Sequence, residues 1–351
     1  MTVAEVYENM KSRLDGIVPD FELKYKAEIV EKILVAKVER NAVILAHNYM
    51  EPALFHSGIA DFTGDSLQLS RDAAETEADV IVFCGVRFMA ETAKILSPDK
   101  TVLLPARVAG CSLAASITGE DVRNLKKKYP GVPVVTYINC YAEVKAETDI
   151  CCTSSNARAV IESLDSDQII FLPDEYLARN VARETGKHII FPSLKPVPGE
   201  KKDDALAYDI IGWTGKCEVH ERFTVEDIAL ARKQFPDVVV VAHPECSPEV
   251  VEASDHSGST TAIIDFIRQS PASQYLVLTE CSMADNIQAE SKDKEMLRMC
   301  SVRCPHMNEI TLEDTLASLE KNQYLIEVPE DIRVKALASV ERMLAIGPNR
   351  D

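Results

Sequence analysis

The sequence predicts an α/β fold built from three pseudo-symmetric three-layer αβα domains around a central active site. Three observations lead there. Apolar strand-like runs alternate with amphipathic stretches along most of the chain, the pattern of parallel sheets covered by helices. The alternation restarts at VILAHNY (43–49), VVTYIN (134–139) and VVVVAHPE (238–245), each a β-rich run that closes on polar side chains. Every restart then leads to one cysteine outside a strand pattern: Cys111 in RVAGCSL, Cys217 in WTGKCEVH and Cys304 in SVRCPHM. The repeat is far longer than that of a stacked solenoid, so it is read as repeated domains.

Taken in order, residues 1–40 read as amphipathic helix interrupted near Pro19. The first unit, 41–130, continues from its opening strand into GDSLQLSRDAAE (64–75), where a Gly/Asp/Ser start suits a helix. A strand and helix follow in DVIVFCGVRFMAETAKIL (79–96), then a third strand, TVLLPA (101–106). The second unit, 131–235, repeats this with TSSNARAVIESL (153–164), QIIFLPDEYLARNVARETG (168–186) and HIIFPS (188–193). The third, 236–310, has GSTTAIIDFIRQ (258–269) and QYLVLTECSMADNIQAE (274–290), with no further strand read after them. In residues 311–351, Thr311-Leu-Glu-Asp314 has the form of a capping box, and Pro329 suits the first turn of a last helix over 330–345. The stretch LKPVPGEKKDDALAYDIIGW (194–213) lengthens the second unit as a lid or a surface insertion.

Composition narrows the partners. The chain has 351 residues, with 38 Lys+Arg against 56 Asp+Glu for a net charge of −18. Bulk electrostatics therefore oppose binding to nucleic acid or an anionic membrane. The N-terminal residues carry mixed charge and no apolar signal core, and no apolar run approaches the ~20 residues of a membrane span. A cytoplasmic enzyme is expected. A reducing compartment argues against a disulfide framework for the ten cysteines, and no paired CxxC motifs suggest a zinc ribbon. Cys84, Cys140, Cys151, Cys152 and Cys281 lie in apolar strand patterns, where cysteine acts as a small hydrophobe.

The three loop cysteines suggest chemistry. Parallel sheets bind ligands beyond the carboxyl ends of their strands, and three thiolates can hold a four-iron cluster with one iron left open. Zinc is the alternative, because His220 and His306 stand close to Cys217 and Cys304. The strand ends offer His47, Tyr49, Tyr137, Asn139, His243 and Glu245. Ser66, Ser154 and Thr260 stand at predicted helix starts, either as N-caps worth ~1 kcal/mol or as ligands for an anion.

Long motifs then carry a family resemblance. IADFTGDSLQLSR, GVRFMAETAKILSPDKTVLLP, AGCSL, YINCYAEVKAETDICCTSSNA, GKCEVHERF, VVAHPEC, SGSTT and CPHMNEITL, in this order over nearly the whole chain, resemble the quinolinate synthases of NAD biosynthesis. The resemblance implies a [4Fe-4S] cluster on Cys111, Cys217 and Cys304, whose open iron acts as a Lewis acid. It implies condensation of iminoaspartate with dihydroxyacetone phosphate to quinolinate, phosphate and two waters. Under that chemistry Ser66, Ser154 and Thr260 bind carboxylate or phosphate, and His47 and His243 donate to substrate oxygens. Tyr137 and Asn139 orient a carboxylate, Tyr49 serves as acid or base at the triose carbonyl, and Glu245 is the general base. His220 moves protons near the cluster or supports it from outside. Cys246 has no ligand role. Of Cys300 and Cys304 the resemblance selects Cys304, and Pro305 favours extended geometry there, so Cys304 is expected on a loop. The enzyme that supplies iminoaspartate is a candidate partner. An aconitase-like hydro-lyase and a zinc or redox module without turnover are the rival readings.

Overall fold

The computed structural model describes residues 1–192, 208–299 and 301–348. Cys300 and residues 194–207 of the stretch read as a lid or insertion lie outside the described residues. Three parallel sheets, flanked by helices, organise the chain. The first contains β1 (Ala42–His47), β2 (Phe62–Gly64), β3 (Val80–Cys84) and β4 (Thr101–Leu103). The second contains β5 (Val134–Tyr137), β6 (Ile150–Cys152), β7 (Ile169–Leu172), β8 (Ile189–Ile190) and β9 (Ile210–Gly212). The third contains β10 (Val239–Ala242), β11 (His256–Ser257), β12 (Gln274–Leu278) and β13 (Glu295–Arg298). Runs such as VIVFC and IIFL form these strands because both faces are covered. β3, β5 and β7 are buried along their whole length, as central parallel strands are.

The strand orders are β2-β1-β3-β4, β6-β5-β7-β9-β8 and β11-β10-β12-β13. In each sheet the chain leaves its first strand for a short edge strand, then crosses to the other side. That reversal makes a topological switch point beside β1, β5 and β10, and ligands bind at the carboxyl ends of such strands. Two expectations change in detail. HIIFPS supplies an outer edge strand, because β9 inserts between it and β7. The third unit does have a further strand, β13, whose EMLR sequence is too charged to read as one.

The terminal helices pack around this frame. Thr2 and Glu5 form a capping box on the helix Val3–Leu14. The helix Asp20–Glu39 sets Leu23, Ala27, Val30 and Ile33 into the core, the spacing of one helical face. At the other terminus Thr311 caps Leu312–Lys321 through Asp314. Pro329 stands at the N-cap of Glu330–Ala345 rather than inside its first turn. This last helix seams the first two units: Arg333 donates to the Ile95 carbonyl at 3.5 Å and Ser339 Oγ to the Lys145 carbonyl at 3.0 Å. No helix among the described residues is long and apolar enough to cross a membrane.

Candidate functional site

The three switch points face one cavity. Its wall includes every site residue expected from the sequence: His47, Tyr49, Ser66, Cys111, Tyr137, Asn139, Ser154, Cys217, His220, His243, Glu245, Thr260 and Cys304. Phe88, Met89, Val219 and Met307 add apolar surface, and no lysine or arginine lines it among the described residues.

Each loop cysteine opens the same local structure. A 3-10 turn follows at Ala114–Ser116, His220–Arg222 and Met307–Glu309, and then a helix capped by Thr118, Thr224 or Thr311. The turn closes when Ala115, Glu221 and Asn308 donate backbone N–H groups to the cysteine carbonyls at 3.0, 3.0 and 3.1 Å. It also aims two backbone N–H groups at each sulfur: Leu113 and Ala114 at Cys111, Val219 and His220 at Cys217, His306 and Met307 at Cys304. Burial pushes all three thiols up, to about 12 for Cys111, to about 11 for Cys304 and well above the ordinary value for Cys217. Those N–H groups pull the other way by favouring thiolate. Gly215 lets the Cys217 loop approach the second sheet, because a Cβ there would lie 2.5 Å from the Pro173 carbonyl oxygen. The donor set fits a metal centre with three protein sulfurs. Cys246 does not line the cavity, and its sulfur donates to the Leu278 carbonyl at 3.5 Å. His306 is paired with Glu218 at 3.2 Å instead of lining the cavity, which weakens the zinc alternative. Cys217, His220 and Glu245 place one ligand atom each within 4.8 Å of one another.

The first and third strand ends share a device. His47 Nδ1 accepts the Tyr49 N–H at 3.2 Å, and His243 Nδ1 accepts the Glu245 N–H at 3.3 Å. Burial lowers His47 to about 4 and His243 to about 3, so both rings are neutral near pH 7. A neutral ring that accepts at Nδ1 carries its proton on Nε2. Both histidines therefore have an Nε2–H to donate. Glu245 is buried and accepts from Tyr137 Oη at 2.5 Å, Asn139 Nδ2 at 3.1 Å and His220 Nδ1 at 2.8 Å. Burial alone would raise its pKa, but His220 and the hydrogen bonds outweigh it and hold the carboxyl below the usual range. Tyr137 and Asn139, expected on a substrate carboxylate, thus serve Glu245 with these atoms. Asn139 Oδ1 stays buried and unpartnered among the described residues. Burial, reinforced by Glu245, raises both Tyr49 and Tyr137 well above 10.

The three small hydroxyl residues are not the caps. Asp65 caps Ser66–Glu75 by accepting from Leu67 and Gln68, and Ser259 caps Thr260–Gln269 by accepting from Ala262. Ser66 and Thr260 are the first helical residues. Asn156 precedes Ala157–Glu162, with Ser154 two residues earlier in the turn. Thr260 Oγ1 accepts from Asn48 Nδ2 at 2.9 Å. Sequence reasoning missed Thr279 and Glu280 at the end of β12. Thr279 Oγ1 is 2.6 Å from Tyr49 Oη and 2.9 Å from His220 Nε2. Glu280 lines the cavity, accepts from Ser282 and Cys304 backbone N–H groups, and is raised to about 7 by burial. Both sit at the switch point of the third sheet, and that position was the signal available in LVLTEC.

Comparison with known proteins gives the family. A family model described as Quinolinate synthetase A protein matches residues 31–345. Quinolinate synthase 2 of Mesorhizobium japonicum is 50% identical over 334 residues, 95% of this chain and 96% of that protein. The quinolinate synthase of Agrobacterium fabrum is 49% identical over 346 residues, 99% and 92% of the two chains. That of Xylella fastidiosa is 50% identical over 317 residues, 90% and 87%.

Proposed function

The chain belongs to the quinolinate synthetase A family, and from that premise we propose that it condenses iminoaspartate with dihydroxyacetone phosphate to give quinolinate, phosphate and two waters in cytoplasmic NAD biosynthesis. The observation that carries the reading is the meeting of three thiols and an acid–base set in one cavity. Cys111, Cys217 and Cys304 would hold a [4Fe-4S] cluster, which when bound supplies Lewis-acid chemistry at its one iron without a cysteine. The chain's own residues do the rest. Ser66 and Thr260, at the starts of ten-residue helices, bind carboxylate or phosphate where helix N–H groups favour negative charge, with Ser154 beside them. The Nε2–H groups of His47 and His243 donate to substrate oxygens. Asn139 Oδ1 accepts from the imine nitrogen, which would satisfy its unpartnered buried oxygen. Glu245 takes the proton that leaves carbon, and Tyr49 and His220 move protons around it.

The test is anaerobic purification, iron and sulfide analysis, and a quinolinate assay with both substrates. A brown protein with about four irons and four sulfides per chain that forms quinolinate is expected. A mononuclear cation on Cys217, His220 and Glu245 is the second reading, and would appear as one metal without sulfide. Turnover that ignores dihydroxyacetone phosphate would indicate a hydro-lyase instead.

A further inference from the structure

Of the three hydroxyls read as anion ligands, only that of Thr260 is held by the protein. Thr260 Oγ1 meets Asn48 Nδ2 at 2.9 Å, whereas Ser66 Oγ and Ser154 Oγ have no hydrogen-bond partner among the described residues. Asn48 stands between His47 and Tyr49, which line the cavity, yet it does not line the cavity itself. Its backbone is fixed on both sides. The Asn48 N–H donates to the Gly64 carbonyl at 3.1 Å, and its own carbonyl accepts from Asn286 Nδ2 at 3.1 Å. The same Asn286 nitrogen donates to the Met50 carbonyl at 2.9 Å. Asn48, Thr260 and Asn286 are all buried, so the first unit reaches the third through a rigid amide.

Donor and acceptor counting then orients the hydroxyl. An amide nitrogen has protons to give and accepts none, so Thr260 Oγ1 is the acceptor and keeps its own proton for another group. No acceptor for that proton stands among the described residues, and Thr260 lines the cavity. From this we propose that Asn48 is a positioning residue that fixes Thr260 as a hydrogen-bond donor to a carboxylate or phosphate oxygen. Threonine adds a stiff χ1, which holds the oxygen in place while the amide directs the proton. A hydroxyl proton has three staggered positions, so directing it into one favours the bound anion about threefold. Polarisation along the chain from amide to hydroxyl to anion strengthens the last bond further.

The inference rests on the reading of Thr260 as an anion ligand, so the experiment separates the two. Isothermal titration of the iron-loaded protein with inorganic phosphate and with succinate reads both. Wild type that binds neither anion defeats that reading, and the inference with it. With binding established, Asn48→Ala should lower the affinity for at least one of them about 3- to 10-fold at unchanged iron content. The anion affected is the class that Thr260 holds. Thr260→Val should lose about 10-fold or more for the same anion, and the double variant should bind no more weakly than Thr260→Val alone. Unchanged affinity for both anions in Asn48→Ala overturns the inference. So do losses that multiply in the double variant, because a general loosening of the site is independent of the hydroxyl. Neutron diffraction from deuterium-exchanged wild type decides the matter if Asn48→Ala does not fold. The Thr260 deuterium should point into the cavity, with an Asn48 Nδ2 deuterium on Oγ1. A Thr260 deuterium directed at Asn48 overturns the inference.

Discussion

Replacing Asn180 by leucine should damage a site that Asn180 does not line. Asn180 lies in the second-unit helix Glu175–Thr185, fully buried. Its Nδ2 donates to the Pro244 carbonyl at 2.9 Å and the Cys246 carbonyl at 3.0 Å. Those carbonyls flank Glu245, so one amide from the second unit pins the turn that carries the third unit's carboxylate. Leucine has similar volume and leaves both acceptors buried without a donor. Each unsatisfied group costs about 1–3 kcal/mol, giving about 2–4 kcal/mol together after local relaxation. At about 2 °C per kcal/mol for a large chain, the midpoint of thermal unfolding should fall by about 4–8 °C. A displacement near 1 Å at Glu245 costs up to about 100-fold in rate, so quinolinate turnover well below the transition should drop at least about tenfold. Thermal unfolding followed by circular dichroism, together with steady-state turnover, measures both. A midpoint within about 1 °C of wild type would refute the hydrogen-bond argument. A lowered midpoint with full turnover would show that Asn180 stabilises the turn without placing Glu245.

Further predictions concern protonation and the sulfurs. His47 has its pKa lowered from 6.5 to about 4 by burial, so unfolding takes up a proton between those values and stability is lost as pH falls through that window. The stability of wild type relative to His47→Gln should therefore shrink by up to about 1.4 kcal/mol per pH unit below 6.5; denaturant titrations at pH 7, 6 and 5 check this, and parallel slopes would contradict it. Serine at Cys111, Cys217 or Cys304 should each abolish bound iron and sulfide, whereas Cys246→Ser keeps them because its thiol only donates to a carbonyl. Metal analysis of the four variants decides, and retention in any of the first three would remove that cysteine from the centre.

Much of the site was legible because parallel strands buried on both faces are uninterrupted apolar runs. Where VILA or VVVVA stops, the next residues are at a carboxyl end, and polar groups there stand out. The same signal failed at Thr279, a small polar residue directly after LVL that a core tolerates. Two helix starts were legible to within one residue, whereas Ser154 lies two residues ahead of the Asn156 cap. Asp65-Ser66 and Ser259-Thr260 each contain two residues able to cap, and only packing decides which one does. The earlier residue takes the cap and leaves the later hydroxyl on the cavity wall. β13 was hidden by charges that an edge strand can carry, and Asn180 by long-range packing that leaves no local pattern.

The repeated cysteine turn also bears on how this chain comes together. Its three sulfurs belong to turns that each unit builds locally, but the turns meet only after the third unit has folded. A group bound through all three would act as a cross-link closing two loops of roughly a hundred residues, a tie worth about 4–5 kcal/mol per loop in chain-entropy terms. Assembly therefore has an order. A group held by all three sulfurs would need the third unit's turn in place before its last ligand could close, and its removal would take away that tie between units.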